Sequence, residues 1–257
     1  MFRLKPVVLA RTNMQSIVHV FAFHGFKIIN GNKAPENSMQ YMVSLQSKFG
    51  FHLCGGFLIR EDVVVTAAHC DELEPYQILV GSHNLKGSNR RLIKIQSRCK
   101  HPDYKTVGLG NDIMLLKLSE KVPLNNIIKT IPLPKPWIYL KDNQICSVAG
   151  WGKTLNSHDV DDLQVVNVSI INPKVCQQQW NNELPPNVIC AGGYNTNKGF
   201  CQGDSGGPLV CDGKAVGVVS FNRNANCNYP DAPNVYTDIS KYLPWINKFL
   251  KEKKCST

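Results

Sequence analysis

Ten cysteines spread over 257 residues, no two closer than ten positions, constrain this chain more than any other feature. The sequence contains neither C-x-x-C nor H-E-x-x-H. The short ligand spacings of zinc ribbons, metalloproteases and thioredoxin-like redox sites are therefore absent, and no metal or other cofactor is expected. An even number of well-separated cysteines reads as a disulfide framework, which persists only in oxidising surroundings and implies an extracellular or secretory-granule protein. The framework is not a substitute for a core. With 43% hydrophobic and 19% charged residues the chain can bury a sizeable interior, and its length fits one or two domains. No apolar run approaches the 18 or so residues of a membrane helix, so no membrane span is expected.

Residues 1–27 stand apart, with four bases (Arg3, Lys5, Arg11, Lys27) and no acid. A basic start followed by the short apolar run Ser16–Phe23, interrupted by His19, describes an atypical signal or pro segment. From Ile28 onward the chain reads as short β-branched runs: Tyr41–Leu45, Val63–Ala68, Tyr76–Gly81, Arg91–Gln96, Asp112–Leu118, Gln164–Ile171 and Ala215–Phe221. Turn-rich clusters separate them, which predicts an all-β sandwich or barrel. One helix is expected, over 241–254, where Leu243, Ile246, Phe249 and Leu250 form an apolar stripe beside lysines.

Ser205 sits in Gly203-Asp204-Ser205-Gly206-Gly207-Pro208, a serine among glycines that let a substrate backbone come close. The G-x-S-x-G pattern also marks the nucleophile elbow of lipase-like hydrolases, which place their histidine after the serine. Here the histidines stand at 19, 24, 52, 69, 83, 101 and 158, and none follows Ser205. A base must come from upstream. His69, in Thr66-Ala67-Ala68-His69-Cys70, follows a strand; Asp112, in Asn111-Asp112-Ile113-Met114, opens an apolar strand where an unpaired carboxylate is costly.

The blocks L-C-G-G-F-L-I, T-A-A-H-C, N-D-I-M-L-L and G-D-S-G-G-P-L-V, in that order from Ile28 to about Leu250, resemble the chymotrypsin/trypsin-like serine proteases, among them the granzymes and mast-cell proteases. The resemblance implies two six-stranded antiparallel β-barrels with a C-terminal helix, residues 28–257 forming the protease domain. In this reading His69 takes the proton of Ser205 and returns it to the leaving amine, Asp112 orients the imidazole, and the Gly203 and Ser205 N–H groups bind the oxyanion. Cleavage after Lys27 would free Ile28 to pair its ammonium with Asp204.

The same resemblance places Gly199, Phe200, Ser220, Asn222 and Asn234 at the substrate pocket. Gly199 stands where trypsin-like members carry an aspartate, which disfavours cleavage after Lys or Arg. The side chains of Asn222 and Asn234 would narrow the pocket and leave amide groups in it, so a small or medium uncharged P1 residue is expected. Four disulfides carry over: Cys54–Cys70, Cys146–Cys211, Cys176–Cys190 and Cys201–Cys227. Cys99 and Cys255 then either bridge each other or join a partner chain. Asn167-Val168-Ser169 is a glycosylation sequon within an expected strand. Partners implied are a protein or peptide substrate and protease inhibitors. The formal charge of +10 and the cluster Arg90, Arg91, Lys94, Arg98 and Lys100 add sulfated proteoglycan, while no nucleic-acid motif is present. The rival reading is a catalytically silent, glycosaminoglycan-binding homologue.

Overall fold

The computed structural model describes residues 28–153 and 160–255; the segment 1–27, with its Lys27 cleavage position, lies outside them. A two-residue strand, β1 (Asn32–Lys33), precedes a closed six-stranded barrel of β2 (Met42–Gln46), β3 (His52–Arg60), β4 (Val63–Thr66), β5 (Gln77–Val80), β6 (Arg91–Lys100) and β7 (Met114–Leu118). The barrel runs β2-β3-β4-β7-β6-β5 and closes by pairing β5 with β2, antiparallel throughout. Closure removes the exposed strand edges that would otherwise invite pairing with other chains.

The second unit contains β8 (Ile145–Gly150), β9 (Gln164–Ser169), β10 (Val188–Cys190), β11 (Pro208–Cys211), β12 (Lys214–Phe221) and β13 (Val235–Asp238), ordered β9-β8-β11-β12-β13-β10 with β1 added beside β9. Its two ends meet through an isolated bridge between Ile170 and Ala191, with Ile171 N–H donating to the Cys190 carbonyl at 2.9 Å. The expected second barrel is thus joined by a bridge rather than a full ladder.

Period-2 burial explains β9, where buried Gln164, Val166 and Val168 alternate with outward residues; Asn167 of the sequon is exposed. Strands β3, β8, β10, β11 and β13 escape sequence reading because they are short or carry Gly, Cys and Pro in place of β-branched runs. A helix also escapes it: α1 (Pro173–Gln179), started by Asn172, whose side chain accepts from Lys174 N–H, and by Pro173 in its first turn.

The expected C-terminal helix is α2 (Leu243–Glu252), shorter at both ends than 241–254. Its stripe of Leu243, Ile246 and Phe249 is buried in the core of the first barrel with Leu58, Val64 and Leu116. The end of the chain therefore returns from the second unit to clamp the first. Cys99 and Cys255 bond to each other, fixing β6 to the residues after α2, and the four other disulfides pair as the resemblance implies. A separate core of Ile28, Val148, Val168, Leu209, Val219 and Tyr236 fills the second unit.

Replacing Cys99 and Cys255 together by serine releases α2 from β6 and enlarges the unfolded ensemble. The expected cost is about 2–4 kcal/mol, measured by reversible chemical unfolding of the pair variant against the parent chain.

Candidate active site

Three short segments outside the β-strands bring the catalytic candidates together. His69 lies in a 3₁₀ turn (Ala68–Leu73) directly after β4, pinned by the Cys54–Cys70 disulfide. Asp112 precedes β7, and β7 pairs with β4, so the two residues leave adjacent strands at the same end of the barrel. The His69 ring donates from Nδ1 to Asp112 Oδ2 at 2.8 Å, and the His69 backbone N–H donates to Oδ1 at 3.0 Å. The donor assignment follows from the carboxylate, which only accepts.

The second unit completes the carboxylate's surroundings. Ser220 Oγ, at the end of β12, donates to Asp112 Oδ2 at 2.5 Å, and Thr237 Oγ1 of β13 donates to the Asp112 main-chain carbonyl at 2.8 Å. Asp112 is 1% exposed. Burial pushes its pKa up, but hydrogen bonding and charge from His69, together with Ser220, outweigh burial and hold it below the usual carboxylate value. For His69, burial disfavours the imidazolium, yet the hydrogen bond and charge of Asp112 leave its pKa raised above 6.5. Ser220, expected at the pocket, thus spends its hydroxyl on the acid.

Ser205 is half-buried in the turn before β11. Its carbonyl accepts from Gly55 N–H at 2.8 Å, and Gly206 packs against Thr66 and Ala67, so the serine is held on the strand end that carries His69. Gly203 adopts φ +95°, where a side chain is strained, and a β-carbon there would lie 2.8 Å from the Gly152 α-carbon. Among the described residues, neither the Gly203 nor the Ser205 backbone N–H is engaged by an acceptor. Two free donors on a half-exposed turn suit a developing oxyanion.

His52 supports that turn and was not anticipated. Its Nε2 lies 2.9 Å from the Gly203 carbonyl and its Nδ1 2.8 Å from Ser44 Oγ. The carbonyl only accepts, so Nε2 carries the proton and Nδ1 accepts from the serine. The one sequence signal is its place two residues before Cys54.

Asp204 is fully buried, accepting from Gly152 N–H and Cys201 N–H at 2.8 Å each. Among the described residues no cation lies against it. Burial pushes its pKa up to about 7, only partly opposed by the two backbone donors. Ile28 and Ile29 are buried beside the pocket, with Ile29 N–H donating to the Gly199 carbonyl at 3.1 Å.

The pocket itself differs from expectation. Asn222 and Asn234 do face inward, but both amides reach one hydroxyl: Asn222 Nδ2 lies 3.0 Å and Asn234 Nδ2 2.8 Å from Tyr229 Oη, which in turn donates to the Phe200 carbonyl at 2.7 Å, while Asn222 Nδ2 also donates to the Asn226 carbonyl at 2.8 Å. The Tyr229 ring covers Gly199, where a β-carbon would meet Cε2 at 2.5 Å. Phe200 contributes only its backbone; its ring stacks edge-on against Tyr236 in the core. Tyr229 was missed because it lies in an irregular loop, 223–231, that no periodicity marks. The sole cluster of metal-type donors among the described residues is Cys54, His69 and Cys70, and its sulfurs are spent in a disulfide.

The family model described as Trypsin matches residues 28–246. Duodenase-1 of Bos taurus is 40% identical over 233 residues, covering 89% of this chain and 91% of that protein. Mast cell protease 3 of Ovis aries is 39% identical with the same coverage, and granzyme-like protein 2 of Rattus norvegicus is 38% identical over 88% and 91%. Among solved structures, neuropsin, a serine protease expressed in the limbic system of mouse brain, superposes with a TM-score of 0.79 at 30% identity, over 86% of this chain and 98% of that one.

Asp204 gives the uncleaved chain a distinctive pH response. Its pKa is higher folded, about 7, than the ordinary 3.8, so between those values the folded state holds the extra proton and stability falls as pH rises. The slope accumulates to about 4 kcal/mol, and Asp204→Asn removes it. Urea unfolding of the uncleaved chain at several pH values checks both expectations.

Proposed function

The chain belongs to the trypsin family of serine proteases and is a serine endopeptidase, and from that premise we propose that it works through His69, Asp112 and Ser205 after cleavage behind Lys27. The observation that carries the proposal is the His69–Asp112 pair, locked by two hydrogen bonds beside the turn that holds Ser205. A serine hydroxyl is a weak nucleophile at neutral pH. His69 accepts its proton during attack on the scissile carbonyl, and Asp112 stabilises the imidazolium that results. Gly203 and Ser205 N–H groups take the carbonyl oxygen as it becomes an oxyanion, and His69 then protonates the leaving amine.

Activation follows from the buried Asp204. In this reading residues 1–27 form a signal or pro segment and 28–257 the protease domain. Cleavage creates an ammonium on Ile28, a buried residue next to Ile29, and pairing it with Asp204 relieves the cost of a lone buried carboxylate. Ionised and paired, Asp204 fixes the turn that aims the Gly203 N–H.

The P1 reading is a small or medium uncharged side chain. Gly199 offers no carboxylate, and the nearby Asp231 is engaged by Arg223 at 3.7 Å and by Asn226 at 3.3 Å. Tyr229 fills the base, so little depth remains. The five disulfides suit an extracellular or granule location. Protease inhibitors follow as partners from the same active cleft. Sulfated proteoglycan is a weaker expectation: Arg91 pairs with Glu120, and Arg98 and Lys100 share Asp71, so part of the basic charge on β6 is already balanced. A silent glycosaminoglycan-binding homologue has no need of a locked imidazole–carboxylate pair.

A fluorophosphonate probe is expected to label Ser205 only after cleavage behind Lys27; absence of labelling in the cleaved chain favours the silent homologue. Asp112→Asn is expected to lower turnover about 10⁴-fold, as the same exchange does in other triad proteases, and to move the acid limb of kcat/KM to lower pH, because the carboxylate that raises the His69 pKa is gone. Tyr229→Gly opens the pocket: in a peptide library, cleavage after Leu, Met or Phe should rise at least about ten-fold relative to Ala, while Tyr229→Phe keeps the small-residue preference. A dominant Lys or Arg preference in the parent enzyme contradicts the pocket reading.

A further inference from the structure

A broad concave surface lies on the other side of the oxyanion turn from the pocket. A cavity of about 810 Å³ includes Gln202 and Gly203 but none of Gly199, Phe200, Asn222, Tyr229 and Asn234. The acyl half of a substrate occupies the pocket side, so this cavity faces the departing amine half. Among the described residues it carries four lysine or arginine side chains, Lys48, Lys86, Arg90 and Lys153, against one acid, Asp161.

The acid is already used, since Asp161 pairs with Lys86 at 2.9 Å. Arg90 places one of its N–H groups on the Leu85 carbonyl at 2.8 Å, leaving the rest of its fork available. The Lys48 ammonium stands 5.0 Å from the Phe49 ring centre, and no carboxylate among the described residues pairs with it. Lys153 is exposed, yet its backbone is fixed by a 2.6 Å hydrogen bond from its N–H to the Gln202 carbonyl, one residue from Gly203. Phe49 and Phe51, on the turn between β2 and β3, are 76% and 69% exposed at the cavity lip. Cations that converge on one concave, partly apolar space focus their field there, unlike lysines scattered over a convex surface.

Resting on the endopeptidase reading above, we propose that this cavity is a subsite for the leaving half of the substrate and selects an acidic residue at the first or second position after the scissile bond. An extended peptide advances about 3.3 Å per residue, so two residues beyond the carbonyl held at Gly203 the chain has travelled about 7 Å, into the space flanked by Lys153. The proposed preference is electrostatic, and the aromatic lip supplies apolar contact for a neighbouring side chain.

The test uses the chain cleaved after Lys27 and quenched peptides identical up to an alanine at P1, with Glu, Ala or Lys at the two following positions. An alanyl coumarin amide, which has no leaving-side residues, reports catalysis alone. The expected order of kcat/KM is Glu over Ala over Lys, with a Glu-to-Lys ratio of about ten at low salt that shrinks toward one at about 0.5 M salt. Lys48→Glu with Lys153→Glu should collapse or invert the ratio. Equal rates for the three peptides, or a ratio untouched by the double substitution, while the coumarin amide is hydrolysed, overturn the subsite and leave the protease reading standing. Failure to hydrolyse both the coumarin amide and the peptides overturns the protease reading and the subsite with it.

Discussion

A single buried carboxylate ties the two halves of this molecule to its chemistry. Asp112 comes from the first barrel, but its partners come from both: His69 from the first, Ser220 and Thr237 from the second. An ionised carboxylate almost wholly removed from water is tolerable only with such donors around it. Docking of the two units and correct orientation of the imidazole are therefore one event. A chain whose second unit shifted would leave Asp112 short of donors and would carry Ser205, in the turn before β11, away from His69 in the same movement.

Asp204 is the counterpart on the nucleophile side, and its position is opposite in energetic sense. Asp112 is satisfied as an anion; Asp204, with two backbone donors and burial against it, holds its proton up to about neutral pH. Two carboxylates within one site thus have pKa values driven apart by their surroundings, Asp112 lowered and Asp204 raised. The turn between them is reinforced from the barrel side by His52, which holds the Gly203 carbonyl, and by Gly55, which holds that of Ser205.

In the proposed reading, substrate selection is built differently on the two sides of the scissile bond. On the acyl side the protein fills its own pocket, with the Tyr229 hydroxyl satisfied by Asn222, Asn234 and Phe200 so that the ring sits there without an unmet polar group. On the leaving side the cavity stays open, and among the described residues Lys48 and Lys153 have no carboxylate partner. Discrimination by excluded volume and discrimination by charge have different reach: the first is short-ranged and steep, the second is screened by salt.

Local chemistry made much of this legible in advance. The β-branched runs between turn clusters, the histidine order around Ser205, the turn glycines of its motif, the apolar stripe at 243–250 and the wide spacing of the cysteines can all be read along the chain, and they indicated the all-β class, the three catalytic candidates, the C-terminal helix and the disulfide-bonded character of the chain. What the tertiary structure alone decided depends on groups far apart in sequence. Cys99 meets Cys255, Ser220 turns to Asp112 instead of the pocket, and Tyr229 occupies the space that Asn222 and Asn234 were expected to line. Those outcomes follow from packing and from pairing every buried polar group, and neither leaves a periodic trace along the chain.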